Sequence, residues 1–187
     1  MKHRLLGLAL ATALAIPFSS HAVEYTTVQK DKSRIDFTYK QMGVAVDGKF
    51  RRFSSTLSFD PAKPTAAKAS FDVELASVDT GAPEGDQEVV GKPWFNAVAF
   101  PTARFVSGAV KPLGGNRYEV AGELSIKGKT QPVVVPATFT AQGNSGVFEG
   151  SFTLRRADFS IGEGSWAKFD IVANDVVVKF RITANSK

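Results

Sequence analysis

From residue 34 onward, apolar and polar residues alternate one by one through most of the chain, the pattern of strands that bury one face. Ile35, Phe37 and Tyr39 interleave with Arg34, Asp36, Thr38 and Lys40. The same period of two recurs over 53–59, 70–75, 103–109, 117–127, 133–139, 148–155 and 175–183, giving about eight strands. Asp60-Pro61 through Pro64, Gly114-Gly115-Asn116, Lys127-Gly128 and Gly143 through Gly146 separate these runs. Such short reversals imply antiparallel pairing, because a parallel return needs a long crossover. Phe50 is out of step with Phe53, so a bulge or strand break is expected near Arg51-Arg52. No helical period is sustained; the best candidate is a short segment from Asp86 to Phe95, broken by Gly91 and Pro93.

Antiparallel strands with one apolar face must stack as a sandwich or close on themselves. Long strands and 15 phenylalanines, mostly at apolar positions, favour closure into an all-β, eight-stranded antiparallel barrel with a short helix. Such a barrel is just wide enough inside for packed side chains or for one ligand. Ala69, Ser77, Ser107, Ala109, Gly122 and Gly150 fall at inward positions and leave volume there, so periodicity leaves a ligand cavity and a filled core both open. By the same parity the wall candidates are Phe37, Tyr39, Phe53, Phe71, Phe105, Leu124, Phe139, Phe152 and Phe180. Trp94, in the rigid stretch from Pro93 to Pro101, and Trp166, in a glycine-rich loop, are expected to plug a barrel end or line its mouth. Lys40, Arg51 and Arg52 are candidates for meeting a polar or phosphorylated head group, since a guanidinium matches phosphate geometry.

The N-terminus changes the picture of where this barrel works. Lys2 and Arg4 precede an apolar run from Leu5 to Phe18, followed by Ser20-His21-Ala22. That is the three-part pattern of a secretory signal peptide, with cleavage expected after Ala22 and delivery to the periplasm. The run is shorter than the roughly 20 apolar residues a membrane span needs. The mature chain, 23–187, is expected to be one soluble domain, not integral to a membrane. It keeps 21 basic and 18 acidic residues, a net charge of +3. Its basic residues are scattered, without the clustered face that nucleic-acid binding requires. Both histidines, His3 and His21, lie in the signal, and the chain has no cysteine. No Ser-His-Asp or Cys-His catalytic set and no His/Cys zinc site can therefore be built after cleavage.

The short motifs fail on context. Ser165-x-x-Lys168 lacks its partner motifs, because Lys129-Thr130 is followed by Gln131. Gly128-Lys129-Thr130 has Glu123 where a phosphate loop needs glycine. Gly162-x-Gly164-x-x-Ala167 has no βαβ unit around it. The carboxylates Glu84, Asp86 and Glu88, and Asp158 and Glu163, leave a carboxylate hydrolase as the remaining enzymatic route, with solvated surface charges as the ordinary reading. Asp31, Asp36 and Asp47 lack the dense oxygen spacing of a calcium loop. Neither a cofactor nor a metal is expected.

An ordered set of stretches carries a family resemblance. These are Ser33-Arg34-Ile35-Asp36-Phe37, Gly48-Lys49-Phe50 with Phe53, Phe59-Asp60, Phe95, Phe100-Pro101 and Phe105-x-Ser107. Then come Gly122-x-Leu124-x-Ile126-x-Gly128-x-Thr130-x-Pro132-Val133 and Arg156-x-Asp158-Phe159-x-Ile161. Over about Val23 to Ala184 the chain resembles the YceI family of bacterial, lipocalin-like, polyisoprenoid-binding proteins. The resemblance implies a periplasmic barrel whose lumen holds an isoprenoid tail of a polyprenyl or quinone lipid, or a fatty amide, with a link to stress responses. Members often carry a histidine in the helical segment before the Phe-Pro stretch; here Asp86–Phe95 has none. The expected role is a carrier or sequestering protein with no chemistry of its own. A surface-interaction protein with a filled core and a carboxylate-dependent hydrolase are the alternatives. Homodimerisation is left open.

Overall fold

One antiparallel sheet of eleven strands makes up most of the computed structural model, which describes residues 23–187; the expected signal peptide, 1–22, lies outside the described residues. The strands are β1 (Tyr25–Val28), β2 (Arg34–Gln41), β3 (Val44–Phe50), β4 (Phe53–Ser58), β5 (Lys68–Glu74) and β6 (Val78–Asp79). They continue with β7 (Thr102–Gly114), β8 (Arg117–Ile126), β9 (Lys129–Gln142), β10 (Ser145–Arg155) and β11 (Val172–Ser186). The order across the sheet is β4-β5-β7-β8-β9-β10-β11-β2-β3-β6, and β1 pairs with β11. The sheet curls around a lumen as a lipocalin-like barrel. The β4 edge closes onto β1 at a single bridge, where Tyr25 on β1 exchanges backbone hydrogen bonds with Phe59 just beyond β4.

The count of eight strands is corrected to eleven; the three missed strands are β1, β3 and β6. β1 and β6 are four and two residues long, too short to show a period. β3 points Val46, Gly48 and Phe50 inward, and the glycine breaks the apolar run. Gly48 pairs with Phe37, whose ring occupies the space where a side chain would stand. The β2–β3 turn is Met42-Gly43, with φ of 50° and 81°. Lys127-Gly128 repeats it between β8 and β9, with φ of 50° and 74°. Positive φ at both central residues is the two-residue turn that matches strand twist. Phe50 and Phe53 are separated by a strand break, at which Arg51 donates its N–H to Ser77 O and Arg52 receives one from Glu74. In β7 the register shifts between Ser107 and Ala109, a bulge that turns Ala109 outward and brings Val110 in to 9% exposure.

The helix also sits earlier than expected. α1 spans Pro83–Val89, with Pro83 opening it and Glu84 and Asp86 in its first turn, where acids suit the helix dipole. Asp86 accepts hydrogen bonds from the Thr80 N–H (2.6 Å) and hydroxyl (2.8 Å), tying α1 to the end of β6. Gly91 and Pro93 lie beyond its end. No helix among the described residues is long and apolar enough to cross a membrane.

Four inward glycines lie under phenylalanine rings: Gly48 under Phe37, Gly122 under Phe105, Gly146 under Phe139 and Gly150 under Phe180. The missing side chains let these rings lie down against the wall instead of standing into the lumen. A Cβ at Gly122 would sit 2.5 Å from the Val106 carbonyl oxygen and 2.7 Å from the Phe105 ring. Gly122→Ala is therefore expected to cost about 2 kcal/mol by overpacking, measured as a lower urea midpoint with an unchanged slope.

Candidate ligand-binding lumen

Aromatic packing closes one end of the barrel. The Phe59 ring lies 4.9–5.5 Å from those of Phe139, Phe148 and Tyr118, two of the three pairs edge-on. Tyr25, Val110 and Ala184 complete this plug, and Ala184 is fully buried. Above it the lumen is open in two adjoining parts. A lower cavity of about 200 Å³ has hydrocarbon side chains on every side, among them Phe71, Phe105, Leu124, Phe152 and Phe180. An upper cavity of about 190 Å³ is lined by Phe37, Tyr39, Trp94 and Trp166 and adds a few polar groups. Ala103, Ile126 and Leu154 line both, so the two adjoin end to end. Each alone is smaller than an ordinary small-molecule site; together they reach the lower end of that range, about 300 Å³.

The sequence-derived wall candidates thus divide. Nine border the lumen: Phe37, Tyr39, Trp94 and Trp166 above, Phe71, Phe105, Leu124, Phe152 and Phe180 below. Phe139 lies in the plug, 4% exposed. Phe53 shares the inner face with Val73 yet borders an outer cleft, where the β2–β3 side of the sheet faces β4–β5. The small residues also divide. Ala69 lines the lower cavity. Ser107 and Ser77 spend their hydroxyls on the backbone, accepting from the N–H groups of Ala69 (2.8 Å) and Arg52 (3.0 Å).

The head-group candidates stand away from the lumen. Arg51 pairs with Asp79 at 2.8 Å, and Arg52 grips Glu74 through two bonds of 2.7 and 2.5 Å, both in the outer cleft. The Arg52 guanidinium holds the Glu74 carboxyl below the usual carboxylate range. Lys40 is exposed on β2, with its neighbours Tyr39 and Gln41 on the cavity lining.

The two charged groups of the upper cavity are not among the lumen candidates read from the sequence. Arg156 opens the turn after β10 and is only 2% exposed. Its guanidinium donates to six backbone carbonyls, at Ala173, Ile161, Gly162, Trp166, Lys168 and Val172, over 2.7–3.2 Å. It also lies 5.4 Å from the Trp94 ring centroid and 5.0 Å from that of Phe169. Burial lowers the pKa of Arg156 from its ordinary value, while a guanidinium stays charged at neutral pH. One buried cation thereby gathers the whole 161–172 loop over the lumen. Glu88, at the end of α1, accepts the indole N–H groups of both Trp94 (3.2 Å) and Trp166 (2.8 Å) on the same oxygen, Oε1. The two indole rings stand 5.3 Å apart. Burial, and then the nearby Asp86 charge, raise the Tyr39 phenol above its ordinary value of 10.0, keeping it a neutral hydroxyl.

Three of the four remaining carboxylates make structural contacts, and Glu84 stands exposed in the first turn of α1. Asp86 ties α1 to Thr80, Asp158 pairs with Arg155 at 3.0 Å, and Glu163 pairs with Lys127 at 2.7 Å. Of the five carboxylates in these clusters, Glu88 alone lines the lumen.

Comparison with known proteins places this geometry. The family model for the YceI-like domain matches residues 26–184. A "UPF0312 protein" of Pseudomonas savastanoi is 34% identical over 169 residues, covering 86% of this chain and 88% of the relative. The crystal structure of Burkholderia cenocepacia BcnA superposes with a TM-score of 0.83 at 40% identity, over 84% of this chain and 99% of that one. A Saccharophagus degradans domain described as polyisoprenoid-binding shares the fold at a TM-score of 0.67 and 14% identity, over 89% of this chain and 99% of that one.

Proposed function

The chain belongs to the YceI-like family, and from that premise we propose that it carries or sequesters one isoprenoid-type lipid, a polyprenyl or quinone lipid, in the barrel lumen. The observation that carries this reading is the pair of adjoining cavities, hydrocarbon below and sparsely polar above, between an aromatic plug and a tryptophan-lined mouth. A polyisoprenoid is also the ligand class named for the Saccharophagus degradans domain that shares this fold. The mechanism is burial. At roughly 25 cal/mol per Å², a tail that buries several hundred Å² gains on the order of 10 kcal/mol before the costs of association. The protein performs no chemistry on the lipid: among the described residues the one luminal carboxylate is committed to two indoles, and the luminal arginine to backbone carbonyls. After removal of residues 1–22 it acts in the periplasm, where such a lipid has no soluble form of its own.

A surface-interaction protein would fill its core, and the open lumen speaks against that reading. Organic extraction of protein purified from the periplasm without detergent, followed by mass spectrometry, tests the proposal. About one isoprenoid lipid per chain is expected; extracts without lipid, from protein that also takes none up when supplied with it, would sink it.

A further inference from the structure

Resting on the lipid-carrier reading, we infer that the upper cavity accepts an uncharged, oxygen-bearing head group and turns away a phosphorylated one, and that Glu88 sets this preference. The charge inventory of the site carries the argument. Among the residues lining the upper cavity, Arg156 and Glu88 are the charged ones, so their formal charges cancel. Arg156 looks suited to a phosphate but has nothing left to offer. A guanidinium has five N–H groups, and these already face six carbonyl oxygens. A phosphate entering beside it would find a cation whose donors are all engaged and whose surroundings are the negative ends of carbonyl dipoles. Taking one of those donors would strand a buried carbonyl.

Glu88 makes the site worse for an anion. Its carboxylate is exposed at the rim, where the indole N–H groups of Trp94 and Trp166 hold one of its oxygens in the path of an incoming negative charge. A phosphate there meets a like charge while losing its hydration, and both effects disfavour binding. The two arginines that could offset this cost lie elsewhere: Arg51 and Arg52 are engaged with Asp79 and Glu74 in the outer cleft, and no lysine is among the residues lining the cavity. The groups that remain are neutral. Tyr39 brings a hydroxyl and Gln41 an amide to the lining, enough to hydrogen-bond an alcohol or a quinone carbonyl.

Both tryptophans of the chain line this cavity, so intrinsic fluorescence reports on it directly. The full mature protein is titrated with geranylgeraniol and with geranylgeranyl phosphate, below their aggregation concentrations, in the wild type and in Glu88→Gln. The amide oxygen of the glutamine keeps accepting from the indoles while the charge is gone. The wild type is expected to bind the alcohol at least about tenfold more tightly than the phosphate, and Glu88→Gln to close most of that gap by gaining affinity for the phosphate. A wild type that binds the phosphate as tightly as the alcohol overturns this inference and leaves the carrier reading standing. An unchanged ratio in a folded Glu88→Gln protein overturns the role of Glu88. Binding of neither probe overturns the carrier reading and this inference with it. Where Glu88→Gln proves unstable by thermal melting, the wild-type ratio decides whether phosphorylated heads are turned away, and the same titration of Glu88→Ser decides the role of Glu88.

Discussion

Arg156→Met is expected to lower the thermal unfolding midpoint by roughly 10 °C, the consequence of about 4 kcal/mol lost from a domain of this size. The side chain is 2% exposed and is the shared hydrogen-bond donor for six carbonyls between Ile161 and Ala173. Methionine fills much of the volume but donates nothing, so several buried carbonyls lose their partner at about 1–3 kcal/mol each, offset where the loop opens to water. Arg156→Lys is expected to recover little, because an ammonium offers three donors at a single point where the fork spans several carbonyls. A circular-dichroism melt reads both variants. A midpoint within about 2 °C of wild type for Arg156→Met would show that the loop is held by something else, such as the Lys127–Glu163 pair and the bonds from Gly162 and Glu163 N–H to Pro93 O.

Ala103→Phe is expected to weaken lipid binding by about 100-fold or more while leaving the barrel folded. Ala103 projects into the lumen where the upper and lower cavities adjoin, and it is 8% exposed. A ring at this place divides the lumen and strands the lower half. Losing half of the buried tail removes several kcal/mol of burial energy, so affinity for an isoprenoid is expected to fall by about 100-fold or more. The fold bears only the ordinary overpacking cost of about 1–3 kcal/mol. Fluorescence titration with geranylgeraniol, alongside a melt, separates the two effects. Wild-type affinity in a folded Ala103→Phe protein would mean that the ligand does not traverse the lumen.

How much of this was legible in the sequence follows from the physics of each signal. Strand faces read well because a side-chain period of two admits only two phases, and nine of the eleven luminal candidates border the cavities. Parity says which face a residue takes but not how far along the barrel it sits. Phe139 and Phe53 therefore belong to the right face and to the wrong level, plug and seam. A one-residue bulge at Gly108 was enough to turn Ala109 outward, and the glycine inside the strand, followed by Val110 at the opposite parity, is its mark in the sequence. Gly48 hid β3 because its role is to receive the Phe37 ring, a contact that exists only across strands.

The site was less legible. Arg156 stands in the family motif Arg156-x-Asp158-Phe159, but a buried arginine satisfied entirely by backbone carbonyls has no charged partner to look for in the sequence. Glu88 sits among Glu84 and Asp86, the ordinary composition of a solvated helix start, and its two indole partners are 6 and 78 residues away. Arg51-Arg52, by contrast, invited a phosphate reading because paired guanidinium groups fit one, whereas each is committed to its own carboxylate. Local composition reports which charges exist; only the fold decides which of them remain free.

A crystal structure of the delipidated mature protein soaked with geranylgeraniol tests the central claim most directly. Continuous density is expected from beside Tyr39 and Trp166, past Ala103, to the Phe148 floor of the lower cavity. Phenylalanine rings turned inward to fill that space, with the alcohol absent or bound only on the outer surface, would contradict it.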